Sequence, residues 1–387
     1  MKSHFSYAEC TLFESGFRLF FLLAVFSALG SFILWQTIED GVLLPDSYFG
    51  GGYWHAHEML FGYGVAVIAG FLLTAVNNWA GRAVVQKRHL VVLGLLWLYG
   101  RLVPFYAGSL PDELIAAIDM AFVPALAIVI GRLGFQLKSF RALAFMVLLG
   151  LLTIGNALIH AEMLGIYQAT APLGIQLVLM AIYLLLLIMA GRIFPVYAER
   201  AMTGIRIPRY RQLDYIAVGS ASLFFIADLL QMTSSVSAVF ALIAAVTNGW
   251  RLVNWFLFRV CFIPMLWILY VGYAWLVVGF VLSVLSMWSW IDSSMAMHAF
   301  ALGGIGVLTM GMMARMALTN TGRSLQTSTP VLLAFVLINL AVVCRVIIPI
   351  FLTLYSDELI YLAVLAWLAA FALFLFDYTP IFFDEYS

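Results

Sequence analysis

The sequence predicts an all-α fold: a polytopic integral membrane helical bundle of about twelve transmembrane helices. Three observations point there. The 387-residue chain is 65% hydrophobic and only 10% charged, whereas soluble domains carry about 25% charged residues. Its mean hydropathy is +1.06. Its apolar runs are long enough to cross a bilayer, which takes about 20 helical residues, and its basic residues concentrate in alternate breaks between those runs.

Taken in order, the runs lie near 17–38, 54–79, 90–108, 113–132, 142–161, 174–196, 213–231, 235–256, 262–286, 294–317, 329–354 and 358–377. The first is too long and uninterrupted for a cleavable signal and reads as a span. The break after the second run holds Arg82, Lys87 and Arg88, and that after the fourth holds Arg132, Lys138 and Arg141. The break after the sixth carries Arg200, Arg206, Arg209 and Arg211. The intervening breaks are acidic: Glu39, Asp40 and Asp46, then Asp112 and Glu113, Glu162, Asp292, and Asp357 with Glu358. Basic loops stay on the cytoplasmic side, so both termini are expected there. Zero net charge gives no case for nucleic-acid binding. Cys10, Cys261 and Cys344 show neither CxxC spacing nor an even set, so no disulfide frame or zinc site is implied.

One motif appears twice. His57 and Arg82 bracket a glycine-rich apolar run, and His298 and Arg323 bracket another, each pair 25 residues apart. Gly62 matches Gly303 and Gly70 matches Gly311, a partial internal repeat of spans 2 and 10. Both spans enter from the same side, so two distant helices could present ligands at one depth. The expected topology puts His55, His57, His160 and His298 at the outer face. Arg101, Arg345, Asp119 and Asp228 are ionisable residues in the outer halves of their spans. Such residues are expensive in a bilayer and usually face the bundle interior; Asp119 and Arg345 could also pair with each other for structural reasons alone.

Imidazole and thioether ligands suit haem iron and copper, while an oxygen-poor set argues against magnesium or calcium. The candidate metal ligands are His55, His57, His160, His298 and Met59. Helix geometry adds a limit. Residues two apart point about 200° from each other, so His55 and His57 can share one ion only if residues 53–55 are not helical. The bland readings are that an interfacial histidine is a boundary residue, that a membrane methionine is packing, and that the glycines let helices approach closely.

The string Trp54-His55-Ala56-His57-Glu58-Met59-Leu60-Phe61-Gly62, followed by Gly70-Phe71-Leu72-Leu73-Thr74-Ala75-Val76 and Asn78-Trp79, resembles the opening signature of the NnrS family. Gly191-Arg192-Ile193-Phe194-Pro195, Gly272-Tyr273-Ala274-Trp275 and His298-Ala299 through Thr321-Gly322-Arg323 resemble later motifs of that family. The resemblance implies a single NnrS-like transmembrane domain over residues 1–387, in the bacterial inner (cytoplasmic) membrane. It implies haem b and copper, and a role in nitric oxide metabolism and nitrosative-stress defence. An NO-processing oxidoreductase would draw electrons from a quinone or a periplasmic donor. In that reading, haem sits between His57 and His298 with Arg101 and Arg345 for its propionates, and His55, His160 and Met59 hold copper or a second haem. Tyr270 and Asn320 stand where relatives often carry histidine, which sets the outer cluster apart as the intact one. The competing readings are a membrane transporter and a metal- or haem-handling assembly factor without redox turnover.

Overall fold

The computed structural model of the chain describes residues 11–39, 48–81, 84–136, 140–202 and 204–384. His4, Cys10, Asp40, Asp46, Arg82 and Lys138 lie outside them. Among the described residues, twelve helices are long and apolar enough to cross a membrane, so this is a multi-pass membrane protein. In chain order they are α1 (Gly16–Trp35), α2 (Gly52–Ala80), α3 (Lys87–Tyr106), α4 (Asp112–Gln136), α5 (Leu143–Met163) and α6 (Ala171–Ala201). The remainder are α7 (Arg211–Leu229), α8 (Ser234–Trp255), α9 (Pro264–Met287), α10 (Ser293–Asn320), α11 (Thr329–Phe351) and α12 (Thr353–Phe383). No strand occurs among the described residues.

Each run marked in the sequence is one of these helices, and the differences lie at the ends. The α-helix of α6 continues past residue 196 to Ala201, through Pro195. That of α12 reaches Phe383 through Pro380. Charged or aromatic polar residues end an apolar run without ending a helix, because they remain good helix formers in water. Inside α4 the α-helix stops at Met120 and restarts at Phe122. Pro124 explains this: it has no N–H, and its ring presses on the carbonyl four residues back, that of Met120.

Packing divides the chain into two compact units. The first comprises Met1–Val178, Met316–Ser324 and Leu375–Ser387. Within it α1 packs along α2, and α3, α4 and α5 build outward through α4. The Phe21 ring lies 2.7 Å from where a Cβ on Gly70 would stand, so that glycine lets the two helices close. Arg18 donates to the carbonyls of Phe382 and Asp384, both at 2.9 Å, tying the start of α1 to the end of α12. The second unit comprises Leu179–Arg315 and Leu325–Phe374. There α8 packs on α7 and α9, α9 on α10, and α10 on α11, around buried rings of Phe224, Phe225, Phe280 and Phe300.

Among the described residues, three spans carry π-helix. In α2 the α-helix ends at His57 and π-helix runs over Glu58–Gly64. In α10 the α-helix ends at His298 and π-helix runs over Ala299–Val307. The third segment, Val343–Ile347, surrounds Arg345 in α11. Such i→i+5 segments are rare and concentrate at functional sites. Both motif copies also end alike: Gly81 has φ +61° and Gly322 φ +67°, the left-handed stop that glycine adopts without a Cβ penalty.

Candidate metal centre

The first unit places four side chains from four helices in one buried cluster. His57 comes from the last α-helical turn before the π-helix of α2, and Arg101 from the last turn of the α-helix in α3. Asp119 sits one residue before the end of the first α4 segment, at the interruption that Pro124 imposes. His160 closes α5, four residues on the same face beyond Asn156.

Asp119 is the hub. Its Oδ2 lies 2.8 Å from His160 Nε2 and 3.2 Å from His57 Nε2, and accepts from Asn156 Nδ2 at 3.0 Å. Its Oδ1 pairs with Arg101 Nη2. Arg101 Nη1 donates to Glu58 Oε1 at 2.7 Å. The other faces of His57 are equally occupied. Nε2 is 3.0 Å from Asn156 Oδ1, Nδ1 is 3.4 Å from Glu58 Oε1, and the Phe49 and Phe61 rings stack on the imidazole at 4.3 and 4.8 Å. His57 is 0% exposed and Asp119 2%.

Histidine roles follow from these neighbours. His160 Nε2 faces a carboxylate and so carries hydrogen, which leaves Nδ1 to accept from the Tyr48 hydroxyl at 2.9 Å. Burial, with Asp112 and Asp119 nearby, holds the Tyr48 phenol protonated well above its ordinary range, so it is a lasting donor. His57 Nε2 faces two acceptors and also carries hydrogen. Two carboxylates, Glu58 and Asp119, meet one guanidinium, Arg101. The cluster is therefore one cation short of neutral when both imidazoles are neutral, and a buried uncompensated charge is costly.

This donor set fits a metal ion. One ligand atom each from His57, Asp119 and His160 lies within 4.8 Å of the others. A transition-metal ion with bonds of about 2.0–2.2 Å to nitrogen and oxygen sets tetrahedral ligand atoms about 3.4 Å apart, so Asp119 Oδ2 would give way slightly from the two imidazole nitrogens it now touches. Two imidazoles and one carboxylate are a set that iron, copper and zinc accept. Beside it, Gly62 opens a small cradle. A Cβ there would lie 3.0 Å from Glu58 Oε2 and 3.6 Å from Arg101 Cδ, and would collide with Ser27 Oγ. Ser27 Oγ and Arg101 Nε are buried and have no hydrogen-bond partner among the described residues. A haem does not fit His57 as it is packed: a porphyrin needs open space at Nε2, and here that nitrogen is held between Asn156 and Asp119.

The other residues singled out from sequence lie elsewhere. The α-helix already runs from Gly51, so the condition for His55 to share an ion with His57 is not met. The His55 ring packs on Trp35 at 4.9 Å and on Phe32 at 5.4 Å. Met59 is half-buried and has no hydrogen bond to the cluster. His298 belongs to the second unit; its Nδ1 donates to the Ser294 carbonyl at 2.7 Å, which makes Nε2 its ligating nitrogen for any metal. The Ser293–His298 segment packs against Val343–Ile347, which bears Arg345. Asp119 pairs with Arg101, not Arg345, and Asp228 is exposed. Tyr270 donates to the Trp255 carbonyl at 2.9 Å, and Asn320 is exposed at the end of α10.

Sequence reasoning missed a second ion pair, buried on its arginine side alone. Arg251, 2% exposed, donates to Asp214 at 2.8 Å, Asn248 at 3.1 Å and Tyr273 at 2.8 Å. A Cβ on Gly191 would collide with this guanidinium, so the glycine of the Gly191-Arg192-Ile193-Phe194-Pro195 string makes room for it. All its polar neighbours are satisfied by one another, which marks it as structural. Against known sequences, a family model described as NnrS protein matches residues 11–385. No curated protein matches the chain.

Proposed function

The chain belongs to the NnrS family, and from that premise we propose that it handles nitric oxide at a metal ion held by His57, Asp119 and His160. Membership implies a nitric oxide-related function. The observation that carries the finer reading is the buried cluster itself: two imidazoles and a carboxylate converge where the local charge favours one more cation. The proposed setting is the bacterial inner membrane, with the cluster toward its periplasmic side, as the segregation of basic and acidic loops supports.

Bound there, a redox-active copper or iron ion would supply a coordination position for nitric oxide and one-electron chemistry. The protein's own residues do the rest. With a metal at His160 Nε2 in place of that nitrogen's proton, Nδ1 would carry hydrogen and donate to the Tyr48 hydroxyl, so the same contact would orient the ligand in both states. With a metal at His57 Nε2, that nitrogen would likewise lose its proton and its contact with Asn156 Oδ1, while Asn156 Nδ2 would keep its hydrogen bond to Asp119 Oδ2. Arg101 pairs with Glu58 and Asp119, and with Ser27 it offers donors at the Gly62 cradle for a small polar ligand. Nitric oxide is apolar enough to arrive through lipid, so no aqueous channel is needed. The haem that the resemblance implies is assigned to His298, whose Nδ1 is anchored on Ser294, with Arg345 for a propionate. Arg345 makes no hydrogen bond or ion pair among the described residues, so its guanidinium donors are open to a propionate, although Asp292 partly offsets its charge. Electrons would come from a quinone or a periplasmic carrier.

Metal analysis and spectroscopy of the purified chain test this reading. About one copper or iron per chain at the cluster, with an electron paramagnetic resonance signal altered by nitric oxide, is the expected result. A metal-free preparation, or a signal indifferent to nitric oxide, contradicts it.

A further inference from the structure

At the opposite, basic end of the first unit, a cleft of about 450 Å³ lies between the start of α3 and the end of α4. Its size is that of a small-molecule site, roughly 300–1,000 Å³. Arg88, His89 and Gln86 line one side, and Arg132 and Gln136 the other. No acidic residue lines it among the described residues. Neither Arg88 nor Arg132 makes a hydrogen bond or ion pair among the described residues, although the adjacent Lys87 lies 3.9 Å from Glu14. His89 Nδ1 accepts the Gln86 amide at 3.2 Å, so in its neutral form the imidazole keeps hydrogen on Nε2 and adds a donor. The charged groups of this wall, Arg88 and Arg132, are thus donors alone.

The remaining wall is apolar and faces outward. Val129 and Leu133 line the cleft with Ile128, which is 55% exposed, and nearby Phe135 is 88% exposed. On a helix apolar enough to span a bilayer, such exposed residues face lipid chains. We infer that this cleft binds the phosphodiester headgroup of an anionic phospholipid, between Arg88 and Arg132, with its acyl chains lying along Ile128. Basic pockets between spans at the cytoplasmic side are suited to this chemistry. A soluble anion would use the guanidiniums but gain nothing from the lipid-facing wall.

Native mass spectrometry of the full chain in detergent tests the assignment, with phosphatidylglycerol and phosphatidylcholine as paired probes. Phosphatidylglycerol should stay bound under activation that strips phosphatidylcholine. The R88Q/R132Q variant should bind it about thirtyfold more weakly, from roughly a fivefold contribution per basic residue. Both arginines are exposed, so the fold should survive, and R211Q, on another basic loop, should leave retention unchanged. Equal retention of the two lipids by the unaltered chain overturns the proposal, and so does full retention in R88Q/R132Q. Inorganic phosphate is the second probe: if it binds lipid-stripped protein with the same sensitivity to R88Q/R132Q, the occupant is a soluble phosphate and the lipid assignment falls. None of these outcomes depends on the metal centre.

Discussion

His57 and His298 occupy the same place in two copies of one motif, yet they live in different chemistry. Each is the last α-helical residue before a π-helical stretch, and each copy stops on a left-handed glycine. His57 is fully buried in a charged cluster. His298 is half-buried, with Nδ1 bound to a carbonyl of its own helix. The matched glycines diverge in the same way. A Cβ on Gly62 would meet polar groups of Ser27 and Glu58, whereas one on Gly303 would meet Trp275 Cβ at 2.6 Å. Gly70 and Gly311 do not diverge, since both admit an apolar neighbour at 2.7 Å, Phe21 and Ile268 respectively. The motif therefore specifies a backbone course and close packing, and the partners from other helices decide what each histidine does.

The comparison breaks most visibly at Asp119, which has no counterpart in the motif. Asp119→Ala leaves Arg101 paired with Glu58 alone and takes the carboxylate acceptor from His160 and Asn156, and each buried donor left unsatisfied costs about 1–3 kcal/mol. A large fall in thermal stability with loss of bound metal is the expected outcome; a stability near that of the unaltered chain would show that the cluster is solvated. Gly62→Ala is the next test. It should cost about 1–3 kcal/mol through overpacking and weaken the response to nitric oxide. Gly303→Ala should cost as much in stability while leaving that response alone, and equal effects on both readouts would erase the distinction between the copies. Tyr48→Phe is the smallest change. Removing an outer-sphere hydrogen bond to a ligand typically lowers metal affinity by roughly 10–100-fold, so chelator competition should show a shift in that range without unfolding. No shift would remove Tyr48 from the site.

Much of the fold was legible because apolar length and charge segregation report directly on bilayer crossing. The twelve spans needed nothing more. His57 and His160 were legible as neighbours because the expected topology puts both at one face of the membrane. Asp119 was visible as an intramembrane acid, but its partner was not, because sequence separation says nothing about which cation faces it. Asn156 and Ser27 carried no signal, since small polar residues in spans are usually packing or local hydrogen bonding. The π-helices were also invisible: glycine-rich apolar runs read the same whether the backbone bonds to the fourth or the fifth residue. His55 misled for the opposite reason. Three glycines before it suggested an open backbone, but the helix begins among them.

Metal content of His57→Ala and His298→Ala, measured side by side on purified protein, tests the central claim most directly. The account predicts that His57→Ala loses the non-haem ion while His298→Ala keeps it. An ion retained in His57→Ala, or lost equally from both variants, would contradict it.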